Sequence, residues 1–197
     1  MKRCSGTILL LLFFFTAQAQ TFKGGALLGI NASQVDGDNL AGYDKVGLNG
    51  GFFADLPLPS KFSVSMELLY SQKGSSGHFI AGSTNSYLLR LGYAEVPFLL
   101  NYHDKPKINF GTGVSISRLV SYKEYRDGIQ INQSQPGTFR SNELAWVANG
   151  NYVISDHFIF NLRFSYSIFR VGQSSTSRYR NEAMFNNVIT ARIGFIL

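Results

Sequence analysis

A length of 197 residues suits a single domain, and a net charge of +6 from 18 basic and 12 acidic residues, with no basic run, is no nucleic-acid signature. The single cysteine excludes a disulfide scaffold. No apolar stretch approaches the ~20 residues of a transmembrane helix. A chain rich in Phe, Tyr and Gly then leaves two classes, a soluble β-protein or a membrane barrel, and the residue pattern must decide between them.

Residues 1–19 read as a cleavable export signal. Lys2 and Arg3 form its positive start, Ile8 to Phe15 its apolar run, and Ala17-Gln18-Ala19 the small-x-small site that a signal peptidase needs. Cys4 precedes the apolar run, so it is not placed for lipidation and leaves with the signal. Removing Lys2 and Arg3 takes the 18 basic residues to 16 against 12 acidic ones, a balance of +4. Residues 20–197 then form the mature domain.

Eight stretches of alternating apolar and polar residues follow, as strands between two different environments require. The first is Phe22 to Ala32, with Ala26, Leu28 and Ile30 against Gly25, Gly29 and Asn31. Lys45 to Leu56 follows, and then Phe62 to Lys73, where Phe62, Val64, Met66, Leu68 and Tyr70 oppose Ser63, Ser65, Glu67, Ser71 and Lys73. Tyr87 to Tyr102 is less regular. Tyr87, Leu89 and Leu91 begin on the apolar face and Val96, Phe98 and Leu100 end on it, so a β-bulge near Gly92 is expected to switch parity. The remaining strands are Ile108 to Arg118, Asn142 to Ile154, Phe158 to Ile168 and Asn187 to Leu197.

The apolar face carries one charge, Arg118, at a strand end. The other face carries Lys23, Lys45, Asp55, Glu67, Lys73, Arg90, Glu95, Glu143, Arg163 and Arg192. A lipocalin-like carrier would bury the apolar face, a membrane barrel the charged one, and periodicity is unchanged by that inversion. Three features favour the membrane. The polar face is rich in Gly, Ser and Asn, which suits the narrow, side-chain-filled lumen of eight strands. The apolar face is aromatic near strand ends, like an interfacial girdle. The last strand ends Phe195-Ile196-Leu197, close to the aromatic-terminated strand common in outer-membrane proteins. The expected fold is all-β, an eight-stranded antiparallel up-and-down transmembrane β-barrel.

Connections alternate in length. Pro57 to Lys61, His103 to Lys107 and Ser155 to His157 are short, whereas Ser33 to Asp44, Gly74 to Ser86, Leu119 to Ser141 and Phe169 to Asn186 are long. Short turns belong to the periplasmic side of such barrels and long loops outside, which puts both termini in the periplasm of a Gram-negative bacterium.

The segments Gly29-Ile30-Asn31-Ala32-Ser33, Gly47-Leu48-Asn49-Gly50-Gly51, Glu67-Leu68-Leu69-Tyr70-Ser71-Gln72-Lys73-Gly74 and Tyr93-Ala94-Glu95-Val96-Pro97 resemble the PorT-type outer-membrane barrel proteins of Bacteroidota. The resemblance runs over essentially the whole mature chain. It implies an eight-stranded outer-membrane barrel and, through the member that names the family, a link to protein secretion.

Glu67, Glu95, Arg163 and Arg192 fall near strand middles on the inward face, and Arg90 shares that face. Buried charges are costly unless paired, so these five are expected to form an ion-pair network that fills the lumen. A proton or ion path is the alternative. Among the histidines only His78 falls in a long loop, near Ser75, Ser76, Asp36 and Asp38. A rim-active enzyme acting on lipid A or peptides would use it, but triads are recognised by geometry, not spacing. Asp36-Gly37-Asp38 lacks the other ligands of a calcium loop. No catalytic residue, metal or cofactor is expected. Tyr122, Lys123, Tyr125, Arg126 and Arg140 in one loop, with Arg170, Arg178, Tyr179 and Arg180 in another, mix basic groups with tyrosine at the outer rim. Such groups suit lipopolysaccharide phosphates or a protein partner in an envelope or secretion system, and a solvated loop surface is the plainer reading. The expected function is that of a small non-enzymatic barrel with a structural or interaction role.

Overall fold

The computed structural model describes residues 22–38, 40, 42–78, 86–131, 139–173 and 183–197. The expected signal and the loop residues Arg178, Tyr179 and Arg180 lie outside the described residues. The strands are β1 (Lys23–Asp36), β2 (Lys45–Pro57), β3 (Phe62–His78), β4 (Ser86–Lys105), β5 (Ile108–Arg126), β6 (Ile129–Ile131), β7 (Asn142–Val153), β8 (Phe158–Ser167), β9 (Gly172–Gln173) and β10 (Ala183–Ile196). Eight of them pair antiparallel in chain order. β10 returns to β1 in a register running from Gly25↔Ile196 to Asp36↔Phe185, which closes the ring. Closure leaves no unpaired edge, the condition for a sheet to stand in an apolar solvent. The two short strands lie outside the ring, β6 on β5 and β9 on β10.

One end of the barrel carries tight turns. Leu58 N donates to Phe62 O at 2.9 Å and Ile154 N to Phe158 O at 2.9 Å. The other end carries the long connections, and there the sheet runs further than alternation suggests. Ser75 pairs with Leu89 and His78 with Ser86, so the start of the second long connection is strand. Alternation is lost in that Ser-Ser-Gly stretch, but backbone pairing needs no side-chain pattern.

The inversion that periodicity leaves open is resolved by burial. Leu28 is 70% exposed and Phe52 67%, while Asn31 is 0% and Arg192 1% exposed. Large exposed apolar side chains recur on every strand of the ring, far beyond the few hundred Å² of contiguous apolar surface that a water-soluble monomer tolerates. A lipocalin-like interior is thereby excluded. Outward aromatics gather in two belts. Near the turns, Phe62 meets Tyr102 and Phe158 meets Phe195, each at 5.4 Å between ring centroids. Towards the loops, Trp146 meets Phe164 and Tyr166 meets Phe185, each at 6.1 Å.

The expected parity switch in the fourth strand is corrected. β4 keeps one parity throughout: Leu89, Leu91, Tyr93, Glu95 and Asn101 are buried, and Arg90 and Ala94 are exposed. The extra residue sits in β5 instead. Tyr93 pairs with Leu119 and Gly92 with Ser121, which leaves Val120 over. Val120 and Ser121 both point outward, and beyond them Tyr122 and Glu124 turn towards the lumen. Gly92 tolerates the irregularity because a Cβ there would lie 2.4 Å from Ser121 Oγ and 2.7 Å from the Tyr70 hydroxyl. The physical reason for the misreading is a second apolar destination. At the loop end the lumen holds a cluster of Val35, Leu89, Leu91, Tyr93, Val171 and Met184, and Tyr87, Leu119, Tyr122 and Phe139 pack against it. Leu91→Ala should lower stability by about 2–3 kcal/mol, as truncation of a buried leucine does. Urea unfolding in detergent micelles reads this, and an unchanged midpoint would place Leu91 in a looser setting than its 1% exposure indicates.

Candidate functional site

The lumen is layered, and β3 shows the order. Ser63 and Ser65 line a cavity at the turn end, Glu67 sits above them, Lys73 higher still, and the apolar cluster closes the loop end. The alternation of β3 places all these polar side chains inward at every second residue.

Glu67 is the centre of the lower charged layer. Arg163 Nη1 and Nη2 donate to its two oxygens at 2.9 and 2.6 Å, a bidentate pairing. β3 and β8 stand four places apart in the ring of eight, so this pair crosses the whole bore. Arg192 Nη1 donates to Glu67 Oε2 at 3.0 Å, and its Nε and Nη2 donate to Asn161 Oδ1 at 2.9 and 2.7 Å. All three charged side chains are at most 6% exposed. This layer carries two positive charges against one negative.

The upper layer has the opposite imbalance. Lys73 Nζ lies 2.5 Å from Glu95 Oε1 and 2.9 Å from Glu143 Oε2, and 5.0 Å from the centre of the Tyr93 ring. Glu143 Oε1 accepts from Ser167 Oγ at 2.5 Å and from Asn186 Nδ2 at 3.0 Å. The two layers together are neutral.

The structure therefore brings Glu67, Arg163 and Arg192 together and separates Glu95 from them by one layer. Lys73 and Glu143 were not singled out in the sequence. Their inward parity was the available signal, but nothing in the sequence measures depth across strands.

Arg90 is corrected. It belongs to neither layer, because the unbroken parity of β4 turns it outward, where its guanidinium lies 5.5 Å from the centre of the Tyr125 ring. Lys123, its cross-strand partner on β5, is exposed beside it. Arg118 also faces out and donates to Asn142 Oδ1 at 3.1 Å. On β5, Arg118 and Lys123 lie on the loop side of Val114, which pairs with Trp146 of the upper aromatic belt. Tyr122 is corrected too. The Val120 bulge turns it inward, where its hydroxyl donates to Glu124 Oε2 at 2.6 Å and its ring packs on Phe139. Arg126 pairs with Glu124 at 3.2 Å, and Arg140 is exposed on the loop side.

At the turn end, Ser63 Oγ lies 2.8 Å from Asp55 Oδ1 and 2.9 Å from His103 Nε2. The serine stands between the acid and the imidazole. A hydroxyl that gives its one proton to Asp55 is not activated by His103, unlike the serine of a triad, where histidine occupies the middle. Among the described residues no group of three His, Cys, Asp or Glu side chains is arranged to hold a metal ion.

Residues 17–171 match the family model described as outer membrane protein beta-barrel domain. No curated protein matches the sequence. The fold is similar to that of Ail, the attachment invasion locus protein of Yersinia pestis, with 10% identity and a TM-score of 0.51 over 89% of this chain and 98% of that one. It is also similar to Neisserial surface protein A, with 8% identity and a TM-score of 0.51 over 88% of this chain and 96% of that one. The family match takes in most of the chain, and the strand ring, the lipid-facing aromatic belts and the charged lumen agree with it: the chain belongs to the outer-membrane β-barrel domain family and resides in the outer membrane.

Proposed function

We propose that this barrel is a non-enzymatic interaction protein of the envelope whose loop-end rim holds the phosphates of lipopolysaccharide. The observation that carries this reading is the outward trio Arg90, Lys123 and Arg118. Arg90 lies against an aromatic ring and Arg118 bonds an amide, and no carboxylate among the described residues pairs with any of the three. Arg118 lies four residues past Val114, the partner of Trp146 in the loop-end aromatic belt, and Lys123 and Arg90 lie beyond it, on the side where lipid headgroups would begin. Guanidinium and ammonium groups bind phosphate through short charge-assisted hydrogen bonds, and Arg and Lys side chains at this level keep their stems in the apolar zone. In this orientation the long loops are extracellular and both termini periplasmic. The ionic layers and the apolar cluster serve as structure that fills the lumen, and eight strands leave no open channel. The serine-centred order at Ser63 supports a role without catalysis.

The test is the double charge reversal Arg90→Glu/Lys123→Glu. The purified barrel should retain at least about tenfold less lipopolysaccharide, the equivalent of ~1.4 kcal/mol, with its heat-dependent gel shift intact. Cells carrying the variant should become more sensitive to detergents. Undiminished retention would remove the proposal. If retention persisted while export of secreted proteins failed, the rim would be a protein-docking surface, as the likeness to PorT-type barrels implies.

A further inference from the structure

We propose that the turn-end half of the lumen is a binding pocket for an uncharged, polyhydroxylated ligand of hexose size, a free sugar or the end of a glycan. The cavity measures about 320 Å³, at the small end of ligand pockets. Pro106 and Asp156 of the turns line one end of it, and Glu67 and Arg192 of the buried charged layer line the other.

Its sides differ. Leu27, Phe53 and Ile159 give an apolar surface, and facing it stand asparagines and serines of β3, β4, β5 and β7. Within that polar wall two buried acceptors have no partner, Asn101 Oδ1 and Asn149 Oδ1. They converge over Gly111, where a Cβ would lie 2.1 Å from the first and 2.7 Å from the second. Asn149 is 8% exposed, lines the cavity, and has no side-chain hydrogen bond to the protein. Orphaned amide oxygens at this depth are uncommon and call for a donor.

Donors are supplied as well. Arg192 Nε donates to Asn161 Oδ1, Asn161 Nδ2 donates to Asn151 Oδ1 at 2.5 Å, and Asn151 Nδ2 donates to Asn109 Oδ1 at 2.5 Å. This chain of amides carries the polarisation of a guanidinium to Asn109, which lines the cavity. No hydrogen bond holds the Asn149 amide, so a turn of that group offers the cavity its oxygen or its N–H, and vicinal hydroxyls, which both give and accept, match it beside the polarised Asn109 amide. The C–H face of a sugar ring matches Phe53. The lining carries charge of both signs, Lys23 and Arg192 with Asp55, Glu67 and Asp156, so neither an anion nor a cation meets a wall of purely opposite charge.

The test uses the full barrel in lauryldimethylamine oxide, a detergent without sugar, with saturation-transfer NMR. Glucose and N-acetylglucosamine represent a free sugar, and the β-1,4-linked disaccharide of N-acetylglucosamine represents a glycan end. At least one probe should bind at millimolar concentration, while acetate and tetramethylammonium should not. Asn149→Leu, close in volume, should weaken binding at least about tenfold and leave the gel-shift temperature unchanged or higher, because it removes an orphaned polar group. If Asn149→Leu does not fold, Gly111→Ala carries the same test by displacing both amides. A barrel that binds none of the sugars, or binds them equally well after these substitutions, overturns the proposal.

Discussion

Replacing Glu67 by alanine should destabilise the barrel by about 3–5 kcal/mol, the loss that follows when one partner of a buried ion pair is removed. Arg163 and Arg192 would then stand side by side on the adjacent strands β8 and β10, 4% and 0% exposed in their side chains, with no anion between them. Neither can shed its charge, since a guanidinium stays protonated at any ordinary pH. Arg192 would keep Asn161, and Arg163 would lose both hydrogen bonds that its side chain makes. Urea unfolding in detergent micelles, followed through Trp146 fluorescence, measures the effect. The triple substitution Glu67→Met/Arg163→Leu/Arg192→Met should recover most of the loss, because apolar groups of similar volume often replace buried ion triads without penalty. A single-variant loss below about 1 kcal/mol would mean that water reaches these guanidiniums and that the layer is no dry network.

How far this arrangement can be read from residues alone depends on which quantity is asked for. Alternation from Phe62 to Tyr70 fixes a strand and its two faces, because a period of two has one geometric origin. The long-short order of connections separates a turn end of the barrel from a loop end. Depth is different. Glu67 and Lys73 share β3 and its inward face, and their partners lie on β8, β10, β4 and β7. Only the cross-strand registers set those meetings, and no side chain encodes a register by itself. Parity fails where a membrane barrel breaks its own polarity rule. Leu89 and Leu91 look lipid-facing because they are apolar, yet the loop end of this lumen is apolar as well. One such exchange was enough to invert Arg90, and with it the place of a positive charge at the loop end. The Val120 bulge had no cue in the sequence, since Leu119 to Ser141 reads as a long connection and not as strand.

The second large effect is expected at Lys73, and its dependence on pH should set it apart from the first. Lys73→Met leaves Glu95 and Glu143, whose side chains are 8% and 1% exposed, without their shared cation. Two buried carboxylates in one site repel each other, and near pH 8 the loss should again reach about 3–5 kcal/mol. Carboxylates, however, can be neutralised by taking up protons, and guanidiniums have no equivalent escape. In the variant the folded state would gain protons that the unfolded state has yet to bind, so acid favours the fold. The penalty of Lys73→Met should therefore shrink between about pH 8 and pH 5, while that of Glu67→Ala stays level over the same range. Each variant is compared with the wild-type barrel at every pH, so that effects common to both cancel. Adding Glu143→Gln to Lys73→Met should restore part of the stability at pH 8 and flatten the pH response, since Ser167 and Asn186 can still bond to the amide that replaces the carboxylate. Equal pH profiles for Lys73→Met and Glu67→Ala would contradict the assignment of opposite net charge to the two layers, because that assignment requires one to be relieved by acid and the other not.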